Sequence, residues 1–134
     1  MLQRALAIME REYGPDHREV ACVLSDLAAA LTGSLGIAPT GNLRPEKDAP
    51  SMFEPIHGSA FDIMGKGIAN PLGTFWSAAM LLEHEGELDA AKRLMKAIER
   101  VTGEGKHLPR DLGGTATSRE VTDAVLEAIQ QSNE

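Results

Sequence analysis

The sequence predicts an α/β fold in which helices at both ends of the chain flank a few short strands. Near both ends, apolar residues recur at intervals of three and four, which is the spacing of one helix face. Between them, over 33–74, glycine and proline interrupt short apolar runs. This composition is typical of strands or extended segments joined by loops.

The first 31 residues predict a helix hairpin. Leu2, Leu6 and Met9 give the first helix an apolar face over 2–13, and the sequence Gly-Pro-Asp at 14–16 ends that helix and offers a cap for the next. The second helix carries an apolar stripe that ends before a Thr-Gly pair at 32–33 (Val20, Val23, Leu24, Leu27, Ala28 and Leu31).

The middle of the chain predicts short strands. The apolar pieces at 35–38 and 52–53 are expected to be strands or extended segments. Pro55 has no N–H to donate to a sheet, so we expect it at the end of a strand.

The C-terminal part predicts three helices. Two apolar runs lie on either side of Gly86, and a loop is expected to open at Gly103 and extend to Pro109. Thr117 and Glu120 have the spacing of a capping box, which indicates that the last helix begins there. An apolar face follows it (Val121, Ala124, Val125, Ala128 and Ile129).

Composition excludes several classes of function. With 4% aromatic and 43% hydrophobic residues, the core must be aliphatic. The formal charge of −7 leaves no basic stripe for nucleic acid. Cys22 is the single cysteine, which favours a reducing compartment, and no apolar run reaches the ~18 residues of a membrane span. The N-terminus has no secretory signal, so we expect a cytoplasmic protein.

The segment EPIHGSAFDIMGKGIANP, at 54–71, has the composition of a cofactor-binding loop. Asp62 lies in a loop of small residues, where its carboxylate can accept hydrogen bonds from both hydroxyls of a ribose. The same charge would repel a 2′-phosphate, so Asp62 favours NAD over NADP. Gly65 and Gly67 allow close backbone approach to a ligand. The alternative is an aspartate that caps a turn and glycines that form turns. The spacing is not that of a Rossmann fingerprint.

Other polar residues of this segment also have two interpretations. The amide of Asn70 can pair with the edge of an adenine, or it can begin a helix because Pro71 follows. His57 is a general base, a ligand contact or a hydrogen-bonded structural residue. Glu54 contacts a ribose or a substrate, or it is a surface acid. Outside the segment, Asp26 is a candidate ligand for a divalent metal.

These segments resemble the C-terminal part of the β-decarboxylating dehydrogenases, the family of 3-isopropylmalate, isocitrate, D-malate and tartrate dehydrogenases. The resemblance extends over 24–134 and lies in LSDLAAALTGSLGIAP, SMFEPIHGSAFDIMGKGIANP and FWSAAMLLEH. The tail PRDLGGTATSREVTDAV is more similar to the tartrate and D-malate branch. The resemblance implies a partial isopropylmalate-dehydrogenase-like fold, with a few strands of a larger sheet and flanking helices.

The same resemblance implies that the segment at 54–71 is the loop that binds the adenosine half of NAD, with Asp62 on the ribose. Phe61 stands where the family usually has proline. The implied cofactor contacts are Glu54, His57, Gly58, Ser59, Ala60, Asp62, Ile63 and Asn70.

The family also uses a divalent metal, Mg²⁺ or Mn²⁺, whose ligands come from a G-D-I-L-S-D helix and from a partner subunit. Here the corresponding residues, at 21–26, read ACVLSD. Asp26 keeps the second acid, whereas Cys22 replaces the first, and a thiol is a poor ligand for these hard cations. The segments that supply the substrate-binding arginines and the catalytic tyrosine and lysine have no counterpart here. The resemblance therefore assigns no catalytic residue and predicts no activity for this chain alone.

The hairpin at 1–31 resembles one tetratricopeptide repeat of the kinesin-light-chain type, including its GPDH turn. A single repeat cannot bury its own apolar face. Two hypotheses follow. In the first, the chain is the NAD-binding portion of a 2-hydroxy-acid dehydrogenase with little or no turnover alone, and its expected partner is a second copy or a complementing dehydrogenase half. In the second, it is a non-enzymatic module that binds a partner protein through the hairpin.

Overall fold

The structure is a computed structural model that describes residues 11, 29, 31, 33–44 and 46–132. The predicted hairpin lies almost entirely outside these residues, as do Cys22 and Asp26. The described elements are a 3-10 turn at Leu35–Ile37, β1 at Pro39–Asn42, β2 at Met52–Pro55, α1 at Leu72–His84, α2 at Leu88–Glu104, a second 3-10 turn at Arg110–Leu112 and α3 at Ser118–Gln131. The predicted mixture of helices and a few strands is confirmed.

The two strands form an antiparallel pair. Pro39 lies opposite Pro55, and Asn42 lies opposite Met52. Pro55 is the last residue of β2, as predicted. The prediction of a strand or extended segment at 35–38 is wrong, because Leu35–Ile37 forms a 3-10 turn. The hydroxyl of Ser34 accepts the N–H of Gly36 at 2.9 Å and so caps this turn.

Helix α1 lies at the centre of the described fold. It contacts β1, β2, the first 3-10 turn and α2, and α2 in turn contacts α3. Gly73 permits the closest of these approaches, since a Cβ there would lie 2.7 Å from the backbone oxygen of Gly36. The core between the elements is aliphatic, as predicted (Ile37, Leu72, Ala97, Ile98, Val101, Val121, Val125 and Ala128).

Most helix ends lie where the sequence predicted them. Gly86 separates α1 from α2 with a φ of +88°. Helix α2 continues past Gly103, where a loop was expected, and ends at Gly105 in the left-handed conformation. The capping box is confirmed, because the Thr117 N–H donates to the Glu120 carboxylate at 2.7 Å and the Glu120 N–H donates to the Thr117 hydroxyl at 3.3 Å.

Within the described part of the chain, every helix is too short or too polar to cross a membrane. Several large apolar side chains face solvent there, including Phe61 at 77% exposed and Met64 at 63% exposed. Both belong to the segment at 54–71.

Candidate functional site

An open cleft of about 1040 Å³ lies where the loop at 57–70 faces the two 3-10 turns. Its volume is at the upper end of the roughly 300–1,000 Å³ typical of small-molecule sites. The lining residues come from three parts of the chain (33–36; His57, Gly58, Ser59, Ala60, Ile63, Met64, Gly65, Gly67, Ile68, Ala69 and Asn70; Arg110 and Asp111).

The loop presents its backbone to this cleft. Gly65 and Gly67 have φ values of +74° and +63°, a conformation that favours glycine. A Cβ added at either residue, or at Gly58, would meet no atom within 4 Å. Ala60 also has a positive φ of +44°, and its carbonyl accepts the N–H of Ile63 at 3.0 Å. A ligand can therefore approach the main chain of this loop without a side chain in the way.

Both ends of the loop are fixed to the rest of the fold. Before it, the N–H of Ile56 donates to the carbonyl of Ala38 at 3.1 Å. Near its C-terminal end, Ser118 at the start of α3 donates its N–H to the carbonyl of Gly67 at 2.8 Å and its hydroxyl to the carbonyl of Ala69 at 2.5 Å. The loop is therefore anchored near both of its ends, to Ala38 and to the start of α3.

Asn70 lies buried at the base of the cleft, only 8% exposed. Its Oδ1 accepts the N–H of Leu72, the first residue of α1, at 2.9 Å. The predicted N-cap is displaced by one residue, because the helix has Pro71 and not Asn70 as its N-cap. Its Nδ2 donates to Oδ2 of Asp111 at 2.8 Å. The hydroxyl of Ser34 donates to the same carboxylate oxygen.

The side chains of Ser34, Asn70 and Asp111 surround Gly36. A Cβ on Gly36 would lie 2.8 Å from Oδ2 of Asp111 and 2.9 Å from Cβ of Asn70. Such contacts are shorter than atoms tolerate, so glycine is needed for Ser34, Asn70 and Asp111 to meet.

Six of the eight predicted cofactor contacts line the cleft (His57, Gly58, Ser59, Ala60, Ile63 and Asn70). The other two do not. Glu54 lies on β2, where its backbone pairs with Thr40, and its side chain is exposed. Asp62 is exposed on the turn beside Ile63.

Sequence reasoning did not assign a role to Ser34, Gly36, Arg110 or Asp111. Asp111 is 41 residues from Asn70 and 77 from Ser34, so no local spacing connects them. The PRDLGG segment, which contains Arg110 and Asp111, contributed to the family resemblance, but no function was assigned to its residues.

The cleft carries few ionisable groups. Arg110 and Asp111 are adjacent on the second 3-10 turn, and Nδ1 of His57 lies 3.0 Å from the carbonyl oxygen of Gly58. Among residues 33–44 and 46–132, no group of three or more His, Cys, Asp or Glu side chains could hold a metal ion. The predicted metal ligand, Asp26, lies outside the described residues.

The sequence matches known dehydrogenases over most of its length. The family model for isocitrate/isopropylmalate dehydrogenase matches residues 22–128. A probable tartrate dehydrogenase/decarboxylase from Agrobacterium vitis is 68% identical over 113 residues, which is 84% of this chain and 31% of that protein. An isocitrate/homoisocitrate dehydrogenase from Thermus thermophilus is 54% identical over 108 residues, which is 81% of this chain and 31% of that protein.

Solved structures give the same result. A β-decarboxylating dehydrogenase from Thermococcus kodakarensis superimposes with a TM-score of 0.74 at 36% identity, covering 96% of this chain and 39% of that one. An isocitrate dehydrogenase from Methylococcus capsulatus gives a TM-score of 0.76 at 33% identity, covering 97% and 40%.

This chain spans about 31% of the length of the curated relatives described above. The family model nevertheless covers well over half of the chain, and the fold agrees with the solved structures. The chain therefore belongs to the isocitrate/isopropylmalate dehydrogenase family and corresponds to one part of a β-decarboxylating dehydrogenase.

Proposed function

We propose that this chain is the NAD-binding portion of a metal-dependent 2-hydroxy-acid oxidative decarboxylating dehydrogenase of the tartrate, D-malate or 3-isopropylmalate type. The observation that supports this most strongly is the cleft. Six of the residues that the family resemblance assigns to the adenosine half of NAD line one continuous cavity of about 1040 Å³.

The chemistry of the cleft suits a nucleotide. Exposed glycine backbone at Gly58, Gly65 and Gly67 lets a flat base or a ribose approach closely. The loop is anchored at both ends, so little order has to be gained when a ligand binds. Arg110 adds a cation at the cleft wall, where a phosphate group can be neutralised.

Asp62 is proposed to bind the adenosine ribose. Its carboxylate is exposed beside Ile63, which lines the cleft, so a ribose at the outer face of this turn would meet it. A carboxylate accepts from both ribose hydroxyls and repels a 2′-phosphate, so we propose that the chain prefers NAD to NADP. Glu54 is proposed as a second, more distant contact.

Asp26 is proposed to help hold Mg²⁺ or Mn²⁺, together with acids from outside this chain. When bound, such an ion polarises the substrate hydroxyl and stabilises the enolate that forms on decarboxylation. Because Cys22 replaces the other acid of the family motif, we expect this chain alone to hold the ion weakly.

Because the chain spans about 31% of its relatives, we propose that oxidation of the hydroxy acid requires residues outside these 134. We propose a homodimer or a complex with a complementing dehydrogenase half as the assembly, and of these two only the complementing half would supply the missing residues. A cytoplasmic location is proposed from the single cysteine and the composition.

Thermal unfolding with added NAD tests the binding proposal. We expect a saturable rise in melting temperature, corresponding to about 2.7 kcal/mol when the free ligand is at 100 times its Kd. NADP and the Asp62→Asn variant serve as controls, and both should give smaller shifts. A folded protein that shows no shift with millimolar NAD would contradict the proposal.

A separate assay tests the proposed lack of turnover. The purified chain, supplied with NAD and Mn²⁺, should give no NADH with D-malate, tartrate or 3-isopropylmalate. Production of NADH with any of these acids by the chain alone would show that this part of the proposal is wrong.

A further inference from the structure

We infer that the outer edge of β2 is a docking surface for the complementing dehydrogenase half, which adds an extended segment there as a third strand. The inference rests on the proposed function, in which a complementing half supplies the residues that this chain lacks. The docking surface and the kind of segment that binds it are additional to that proposal.

The pairing of β1 with β2 determines which backbone groups of β2 point away from β1. The N–H of Ile56 donates to the carbonyl of Ala38 at 3.1 Å, and the register places these two residues opposite each other. In an antiparallel pair, hydrogen-bonded positions alternate with positions whose N–H and C=O point outward. Glu54 is therefore bonded to β1, whereas Phe53 and Pro55 direct their backbone groups to the outer edge of β2.

This outer edge is unpaired in the part of the chain that the structure describes. The sheet there consists of β1 and β2 alone. Within residues 33–44 and 46–132, the outward N–H and C=O of Phe53 form no hydrogen bond. The outer edge of β1 is different, because Pro39 already has an interaction partner. An unpaired strand edge is a template on which another chain can add a strand.

The faces of the two strands indicate what such a segment looks like. The ring of Phe53 lies 5.6 Å from the ring of His84 on α1, so Phe53 faces that helix, whereas Glu54 is exposed on the opposite face. Leu81 of α1 is still 44% exposed, so the two strands leave apolar helix surface for a third strand to cover. The docking segment therefore alternates, with apolar side chains toward α1 and polar side chains toward solvent.

Pro55 limits the register of the added strand. It has no N–H, so the docking segment can donate to its carbonyl but cannot accept a bond from it. Phe53 offers both an N–H and a C=O to the outer edge. The hydrogen bonds to the third strand are therefore centred on Phe53.

The relatives indicate which partner carries this segment. The chain spans about 31% of the tartrate dehydrogenase/decarboxylase relative, and its match to the Thermococcus kodakarensis structure covers 96% of this chain but 39% of that one. More than half of each relative therefore lies outside the matched part, and its segments have to pack beside that part. A second copy of this chain would only repeat the matched part, so the complementing half is the partner that we assign to the edge.

Co-expression with a relative's missing part tests this assignment. The full 134-residue chain is produced together with an affinity-tagged portion of the Agrobacterium vitis relative, namely the portion that this chain does not match. Hydrogen–deuterium exchange then compares the purified complex with the free, folded chain. We expect a complex in which the Phe53 amide exchanges at least about tenfold more slowly than in the free chain.

Two substitutions at one position separate the backbone bond from the side chain. Phe53→Pro removes the outward N–H and leaves the hydrogen bonds between β1 and β2 in place, because this residue is not bonded to β1. Phe53→Leu is the matched control, since it also loses the aromatic ring but keeps the N–H. With both variants folded by circular dichroism, the tagged half should recover at least about tenfold less of Phe53→Pro than of Phe53→Leu.

Four results would overturn the inference. A complex whose Phe53 amide exchanges as fast as in the free chain would refute it while leaving the proposed complementation intact, and so would equal recovery of the two folded variants. Slow exchange of this amide in a homodimer, without the tagged half, would assign the edge to a second copy instead. Failure to form any complex would refute the inference and the proposed complementing half together, whereas titration of the chain alone with NAD tests the binding proposal separately. The exchange measurement needs no substitution, so it decides the matter even if Phe53→Pro does not fold.

Discussion

Replacing Gly114 with alanine should destabilise this fold strongly. A Cβ on Gly114 would lie 1.9 Å from the carbonyl oxygen of Leu108 and 2.5 Å from its carbonyl carbon. These are main-chain atoms, which cannot rotate away, so the two segments would have to separate by about 1 Å in a closely packed region.

The loss of stability can be estimated from the hydrogen bonds and the packing that this separation would disrupt. The N–H of Gly114 donates to the carbonyl of Pro109, and the N–H of Ala116 donates to the carbonyl of Leu108, both at 3.0 Å. Losing each bond costs about 1 kcal/mol. Pro109 is fully buried, and its displacement would add a comparable loss of packing. We therefore expect Gly114→Ala to lower the free energy of unfolding by roughly 3 kcal/mol, a large part of the ~5–15 kcal/mol of a typical domain.

Urea unfolding followed by circular dichroism measures this change. Gly103→Ala is the matched control, because Gly103 lies in α2 and a Cβ there would meet nothing within 4 Å. That control should be slightly stabilised, by about 0.5 kcal/mol, since alanine has fewer conformations to lose than glycine at this helical position in the last turn of α2. A Gly114→Ala protein within about 0.5 kcal/mol of wild type would refute the packing argument.

Three further outcomes are expected. Thr117→Ala removes the hydroxyl that caps α3 and should lower stability by about 1 kcal/mol in the same urea assay; an unchanged midpoint would contradict this. The Thr117 N–H holds the pKa of Glu120 below its usual range, so the stability that this carboxylate contributes is complete above its unfolded pKa and is lost as pH falls through the lower folded pKa. Glu120→Gln should therefore flatten the acid side of a stability–pH curve, and an unaltered curve would exclude the effect. Gly58→Ala puts a methyl group into open space beside the cleft, so melting should be unchanged while NAD affinity falls; full affinity would place the ligand elsewhere.

Local sequence signals were enough to predict the helical half of the fold. The Thr117–Glu120 pair and the glycine at 86 act on their nearest neighbours, and the structure has helix boundaries at both. Pro55 likewise ends a strand because it has no N–H to donate.

The prediction of a strand or extended segment at 35–38 is wrong because of contacts with residues that are far away in the sequence. An apolar LGIA run is compatible with a strand, yet Ser34 and Gly36 form a capped 3-10 turn that packs on Asn70 and Asp111. The bond from Ser34 to Asp111 joins residues 77 positions apart, so no pattern within a short window reveals it.

The candidate site likewise has one part that could be predicted from the sequence and one part that could not. The contiguous loop could be identified from its composition and family resemblance, and most of its predicted contacts line the cleft. The base of the cleft could not be identified, because Ser34, Asn70 and Asp111 come from three separated segments. Their common feature is a hydrogen-bond network that exists only after the chain has folded.

The most direct test of NAD binding is isothermal titration of NAD into the folded full-length chain, with Asp62→Asn in parallel. We predict saturable binding that is weakened by about tenfold or more in the variant, the size expected for losing hydrogen bonds to a charged group. A wild-type protein that melts cooperatively but releases or absorbs no heat of binding would contradict the assignment of this cleft to a dinucleotide.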